Sequence, residues 1–192
     1  MALARDSVSG SVGLSRLVSP KGYLRAEFPS KVGDSSAAVP NTDPESRYHR
    51  QVQFTGFIGE GNGNYAEYTF VVPEDIDTSV EIQLSRWIYF TGISGTTDPD
   101  TQRYGISWKV VGDGETTTGV FGTPINLLHL GSSVANEKNS FTDESLTGLA
   151  ASVSPGDLLL IRIARHGDNL AEDESEEDSY SGPLVLEYTK AL

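Results

Sequence analysis

The residues of this chain that could carry out acid–base or nucleophilic chemistry are three histidines and 27 acidic residues, with no cysteine among its 192 residues. The absence of cysteine excludes a thiolate nucleophile and a cysteine-based zinc site. His49, His129 and His166 are far apart, and no serine lies in a Gly-x-Ser-x-Gly turn. Carboxylate pairs are too numerous to single out a glycosidase site. We therefore predict that the chain is not an enzyme.

Calcium is the metal that its acidic residues could bind. The run DNLAEDESEED spans 168–178, and Asp168, Asp173 and Asp178 are its candidate calcium ligands. The spacing does not match an EF-hand loop. The alternative is a solvated charge run that discourages pairing at a sheet edge. We therefore predict no metal site and no cofactor.

Charge divides the chain into two parts. Residues 1–50 contain seven basic and five acidic residues, which gives +2; because the whole chain carries −13, residues 51–192 carry −15. Such an acidic domain is a poor partner for nucleic acid, whose phosphates need a positive field. No apolar stretch is long enough for a transmembrane helix, so we expect no membrane partner either.

Residues 1–50 are rich in Ser, Gly and Pro and show no lasting apolar period. One interpretation is a disordered tail; the other is an extended N-terminal arm that orders on a partner surface. In the second interpretation the arm binds through basic and apolar side chains. The candidates are Arg5, Arg16, Lys21, Tyr23, Leu24, Arg25 and Phe28.

From residue 51 the apolar residues alternate with a period of two, which is typical of strands. Tyr104, Ile106, Trp108 and Val110 share one face of a predicted strand, and we expect Trp108 to fill the core. Further strands are predicted near 52–58, 66–72, 80–90, 115–121, 125–130, 158–164 and 184–188. About eight or nine strands without a convincing helix predict an all-β fold, an antiparallel β-sandwich of the jelly-roll type in residues 51–192.

The strand at 80–90 suggests a contact surface. Ile82, Leu84 and Ile88 share one face, with Arg86 interrupting it. If that face is the core, Trp87 and Tyr89 point outward. Exposed aromatic side chains there could stack on a sugar or contact another subunit, and we prefer the subunit contact.

Four stretches resemble a jelly-roll-like domain of structural proteins from tailed bacteriophages. They are FVVPEDIDTSVEIQL (Phe70–Leu84), GISWKV (Gly105–Val110), SPGDLLLIRIAR (Ser154–Arg165) and GPLVLEY (Gly182–Tyr188). Ile76 stands where an aromatic residue is common in those proteins. The resemblance covers roughly 65–190 and consists of turns and strands, not of catalytic groups.

The resemblance implies a virion structural protein assembled in the host cytoplasm. Combined with the basic arm, it predicts a capsid decoration or cement protein on the capsid exterior. The expected partners are the major capsid protein and other copies of the chain, with a homotrimer favoured. The alternatives are a tail, baseplate or head-fibre component that contacts host glycans, a carbohydrate-binding module, and an enzyme.

Overall fold

The computed structural model describes residues 20–27, 29–32, 38–40, 52–54, 65–91, 101–130, 138–165 and 179–191. These residues form twelve strands and one short 3₁₀ turn at Ala150–Ser152. The strands are β1 Lys21–Ala26, β2 Lys31–Val32, β3 Ala38–Pro40, β4 Val52–Phe54, β5 Tyr65–Val71, β6 Gln83–Thr91, β7 Thr101–Val111, β8 Ile125–Leu130, β9 Lys138–Phe141, β10 Glu144–Ser145, β11 Leu158–Arg165 and β12 Ser179–Thr189.

The strands of the described residues make two antiparallel sheets. Four strands of the first sheet lie in the order β1–β12–β6–β9, and β3, β4 and β10 extend it. The second sheet has the order β2–β5–β11–β7–β8. Strands that follow each other along the chain lie in different sheets, except in the pairs β3–β4, β7–β8 and β9–β10. The predicted all-β, jelly-roll-like sandwich is confirmed.

Residues 21–26 belong to this sandwich, although the sequence predicted them to be part of a separate arm. β1 pairs with β12 along its whole length, from Lys21 opposite Thr189 to Ala26 opposite Leu184. The predicted division at residue 50 is therefore wrong for this segment. Its inward positions are Gly22, Leu24 and Ala26. Because Gly22 and Ala26 are small, the apolar period is too weak to reveal a strand from the sequence.

Close packing fixes the position of β1. A Cβ atom built on Gly22 would overlap the ring of Tyr188 on the neighbouring strand β12. Glycine at this position leaves room for the Tyr188 ring to lie over β1 while the two backbones stay at ladder distance. The sequence feature that obscured the strand is thus what allows it to dock.

The core lies between the two sheets and contains the residues predicted to share one face in β5 and in β7. Tyr104 and Ile106 of β7 are fully buried, and Trp108 is partly buried and packs against the core. In β11, the alternate residues Leu159, Ile161 and Ile163 are buried. The opposite residues of β11 are only half-buried, because they face away from the first sheet.

The loops confirm some turn predictions and contradict one strand. Gly156 has φ of +86° in the predicted Pro-Gly turn, and the Asp157 amide donates to the Ser154 carbonyl at 3.1 Å. This is a type II geometry, which needs glycine at its third position. The predicted strand at 115–121 is wrong: residues 112–124 form a loop that leads into β8.

Candidate partner-binding surface

The predicted arm residues that the structure describes lie on β1 with alternating exposure. Tyr23 is 48% exposed and Arg25 is exposed, whereas Leu24 packs against the core. The ammonium group of Lys21 lies 2.9 Å from the carboxylate of Glu187, so that charge is compensated. Arg5, Arg16 and Phe28 lie outside the described residues.

Strand register brings a second arginine to the same face. Val185 of β12 is opposite Arg25 of β1 on one side and opposite Arg86 of β6 on the other. These three residues, together with Tyr23 and Ser85, line a shallow depression of about 330 Å³ on the outer face of the first sheet. We call these five residues the basic–aromatic surface.

A bulge in β6 places Arg86 on this surface. Val185 pairs with Arg86, but the next residue, Leu186, pairs with Leu84, so Ser85 is an extra residue in β6. A bulge reverses which face the following side chains occupy. Leu84 therefore points into the core, Arg86 points to solvent, and Trp87 returns to the core.

The bulge overturns the predicted orientation of Trp87 and Tyr89. Both side chains are 0% exposed, so neither can stack on a sugar or contact another subunit. The Trp87 ring stacks on Tyr89, with centroids 5.0 Å apart, and meets Tyr104 edge-on at 4.8 Å. Such aromatic pairs stabilise a core beyond the apolar area that they bury.

A buried polar group fixes the indole of Trp87. Its Nε1 donates to the Ser181 hydroxyl at 3.0 Å, that hydroxyl lies 2.6 Å from the Tyr68 hydroxyl, and Tyr68 donates to the Gly182 carbonyl at 2.7 Å. Burial raises the pKa of the Tyr68 hydroxyl well above its ordinary value, so Tyr68 stays protonated. The three side chains bond to one another and to the Gly182 carbonyl, which indicates a structural role.

Ser85, Arg86 and Val185 are surface residues that the sequence did not predict. One signal was present, since Arg86 interrupts the apolar face predicted for 80–90. An arginine at an expected core position indicates either a buried charge or a change of phase, and a buried unpaired charge is the more costly of the two. The sequence could therefore have favoured a bulge that switches the faces occupied by alternate residues. It could not have shown the residue at which the switch occurs.

The electrostatic character of the basic–aromatic surface differs from that of the whole chain, whose net charge is −13. Within the described residues, neither Arg25 nor Arg86 has an acidic side chain at ion-pair distance. The guanidinium of Arg25 lies 5.5 Å from the centre of the Tyr23 ring. Two guanidinium forks beside a phenol and a serine hydroxyl can bind carboxylates or phosphates of a partner.

The other candidate residues give no site in the described part of the chain. Asp168, Asp173 and Asp178 lie outside it, as do His49 and His166, while the backbone of His129 lies in β8. Among the described residues no group of three His, Asp or Glu side chains could hold a metal ion. No helix of this part is long and apolar enough to span a bilayer.

Comparison with known proteins gives little further information. No protein-family model matches the chain, and no curated protein matches it. Among solved structures, it is similar to that of a family two carbohydrate esterase from Cellvibrio japonicus, with 11% identity and a TM-score of 0.33. The match covers 91% of this chain and 36% of the esterase chain. A likeness at this TM-score supports no conclusion about activity or ligands.

Proposed function

We propose that this chain is a non-enzymatic virion structural protein that decorates the capsid exterior and stabilises the shell. Its partner in this proposal is the major capsid protein, bound through the basic–aromatic surface. The observation that carries the proposal is the pair Arg25 and Arg86, exposed and without an acidic partner in the described residues of a strongly acidic chain. The resemblance to structural proteins of tailed phages supplies the virion context.

The surface suits a contact with acidic groups. Arg25 and Arg86 flank Val185 across three adjacent strands, so their separation is set by the sheet and not by flexible backbone. A surface that is already ordered loses less conformational entropy on binding than an arm that folds onto its partner. Tyr23 adds apolar area and a hydroxyl at the edge of the contact.

Many weak contacts would give stable attachment. A shell presents the same subunit surface many times, and linked copies of a binder benefit from effective concentration. A trimer at a local three-fold position is the arrangement we propose, because closed symmetric oligomers match symmetric shells. Arg5, Arg16 and Phe28 stay predicted contributors that precede or follow β1 in the chain.

Cosedimentation with phage particles tests this function. The purified chain is mixed with empty heads, and separately with tails, of the phage whose genome encodes it. We expect saturable binding to heads. The double variant R25Q/R86Q should weaken that binding by about a hundredfold or more, because each of its two lost charge-assisted hydrogen bonds costs about 1.5 kcal/mol or more.

A variant of equal net charge is the control. K138E alters the charge by −2, as R25Q/R86Q does, but changes an exposed lysine of β9 away from Val185. It should bind heads as the unaltered chain does. Binding to tails alone, absence of binding to heads, or equal weakening by both variants would contradict the proposal.

A further inference from the structure

A second depression lies on the outer face of the other sheet. Its floor consists of three small or short side chains on adjacent strands, Gly105 and Ser107 of β7 and Ala164 of β11. The loop 112–124 folds over this floor, and its residues Val120 and Phe121 form the rim. The volume of this open depression is about 270 Å³. We call it the Arg162 cleft, because Arg162 closes one side.

The loop is held in place by specific bonds. The ammonium group of Lys109 donates to the Thr117 carbonyl at 2.6 Å, and the Gly122 amide donates to the Trp108 carbonyl at 3.1 Å. The Phe121 ring centre lies 3.9 Å from the guanidinium carbon of Arg162. These contacts form the cleft without a ligand, which reduces the entropy lost on binding.

Arg162 offers hydrogen-bond donors to the cleft but no net charge. Its Nε and Nη2 both donate to one oxygen of Glu67, at 3.2 and 2.6 Å, so its positive charge is compensated. The ring centres of Tyr65 and Phe121 each lie 3.9 Å from its guanidinium carbon. The remaining nitrogen, Nη1, lies on the opposite edge of the planar group from Glu67. The cross-strand neighbour of Arg162 away from Glu67 is Ser107, because β11 lies between β5 and β7.

Ser107 is the second polar group of the cleft. Its residue is only 7% exposed, it lines the cleft, and its hydroxyl forms no hydrogen bond with any described residue. The hydroxyl oxygen keeps some contact with solvent, so a ligand in the cleft can reach it. A hydroxyl-bearing ligand would be a suitable partner, because Ser107 can both donate and accept.

We infer that the Arg162 cleft binds one ring of a neutral sugar. The hydroxyls of the ring would accept from Nη1 of Arg162 and exchange hydrogen bonds with Ser107, while its C–H face packs on Phe121 and Val120. A sugar fits better than an anion, because Glu67 already compensates Arg162. The volume lies near the lower limit of about 300 Å³ for small-molecule sites, so a single ring is the expected occupant.

Saturation-transfer NMR on the full chain tests this site. The probes are glucose, galactose, mannose and N-acetylglucosamine, with glucuronate as the anionic comparison. We expect at least one neutral sugar to bind. S107A should weaken its binding by about tenfold, the effect of one lost hydrogen bond, and F121L should weaken it through the lost ring contact.

S140A is the matched control, because it removes an exposed serine hydroxyl of β9 in the other sheet, outside both depressions. It should leave sugar binding unchanged, and the thermal transition of each variant reports whether it folds. Absence of binding for all four neutral sugars would overturn the inference, as would binding of glucuronate alone. Unchanged binding in both S107A and F121L would also overturn it. The inference does not rest on the proposed function, because head binding involves the other sheet.

Discussion

Each of the two sheets carries arginine on its outer face, but in opposite surroundings. Arg162 of the second sheet lies opposite Glu67, between two aromatic rings, under a loop. Arg25 and Arg86 of the first sheet lie opposite Val185 and are exposed. The cross-strand neighbour therefore decides whether an arginine is used to stabilise the fold or is left for a partner.

Removal of the compensated arginine should have the largest effect on stability. R162A leaves the carboxylate of Glu67, whose side chain is 6% exposed, without its partner. We expect a loss of up to about 3 kcal/mol in the free energy of unfolding, the lower end of the range for a broken buried pair. R86A should cost about 0.5 kcal/mol or less, as exposed substitutions do. Urea denaturation of both variants measures the difference.

The difference between the paired Arg162 and the exposed Arg86 can be checked in two further ways. The double variant E67M/R162M should recover most of the loss, because apolar side chains of similar length replace both charges. Equal losses in R162A and R86A would show that the two faces do not differ as the register suggests.

The docking of β1 can be tested with a smaller substitution. G22A places a methyl group against the ring of Tyr188 and should cost about 1–3 kcal/mol by overpacking. Because β1 carries Tyr23 and Arg25, this variant should also weaken the proposed binding to heads. Denaturation and amide hydrogen exchange in β12 give the measurements.

G122A is the control for that substitution. A Cβ atom on Gly122 would lie 3.7 Å from the Trp108 carbonyl oxygen, which is an ordinary contact. Unchanged exchange in β12 of G22A would indicate that β1 is not held as the structure describes.

The smallest expected effect is a pH dependence at the end of β12. The carboxylate of Asp75 bonds to Lys190 at 2.9 Å and accepts from the Tyr188 hydroxyl at 3.0 Å, and these partners lower the pKa of Asp75. As the pH falls, the unfolded chain takes up this proton first. The contribution to stability is therefore complete above the unfolded pKa of about 4 and is lost as the pH falls through the folded pKa.

Melting temperatures between about pH 2.5 and 7 should show this loss in the unaltered chain and a shallower decline in D75N. D113N, in an exposed turn away from these groups, should follow the unaltered chain. Parallel curves for D75N and the unaltered chain would exclude a contribution from the Asp75 contacts.

The sequence alone determined the all-β class and most strands, because a period of two with Pro-Gly and Gly-Asp-Gly turns specifies alternating burial locally. It also predicted the buried alternation of Tyr104 and Ile106 and the turn at Gly156. Tertiary structure alone decided which residues of β6 face the core, because the bulge at Ser85 exists only through pairing with β12. That pairing buries Trp87 and exposes Arg86, the reverse of what uninterrupted alternation predicts.

The same distinction explains β1. Lys21–Ala26 has too few apolar residues to indicate a strand, and its place is fixed by the backbone of β12 and by the room that Gly22 leaves for Tyr188. Local periodicity depends on side chains within one segment, whereas docking and register depend on which distant segment supplies the matching hydrogen bonds and space. The basic–aromatic surface combines residues of β1, β6 and β12, so only the assembled sheet could reveal it.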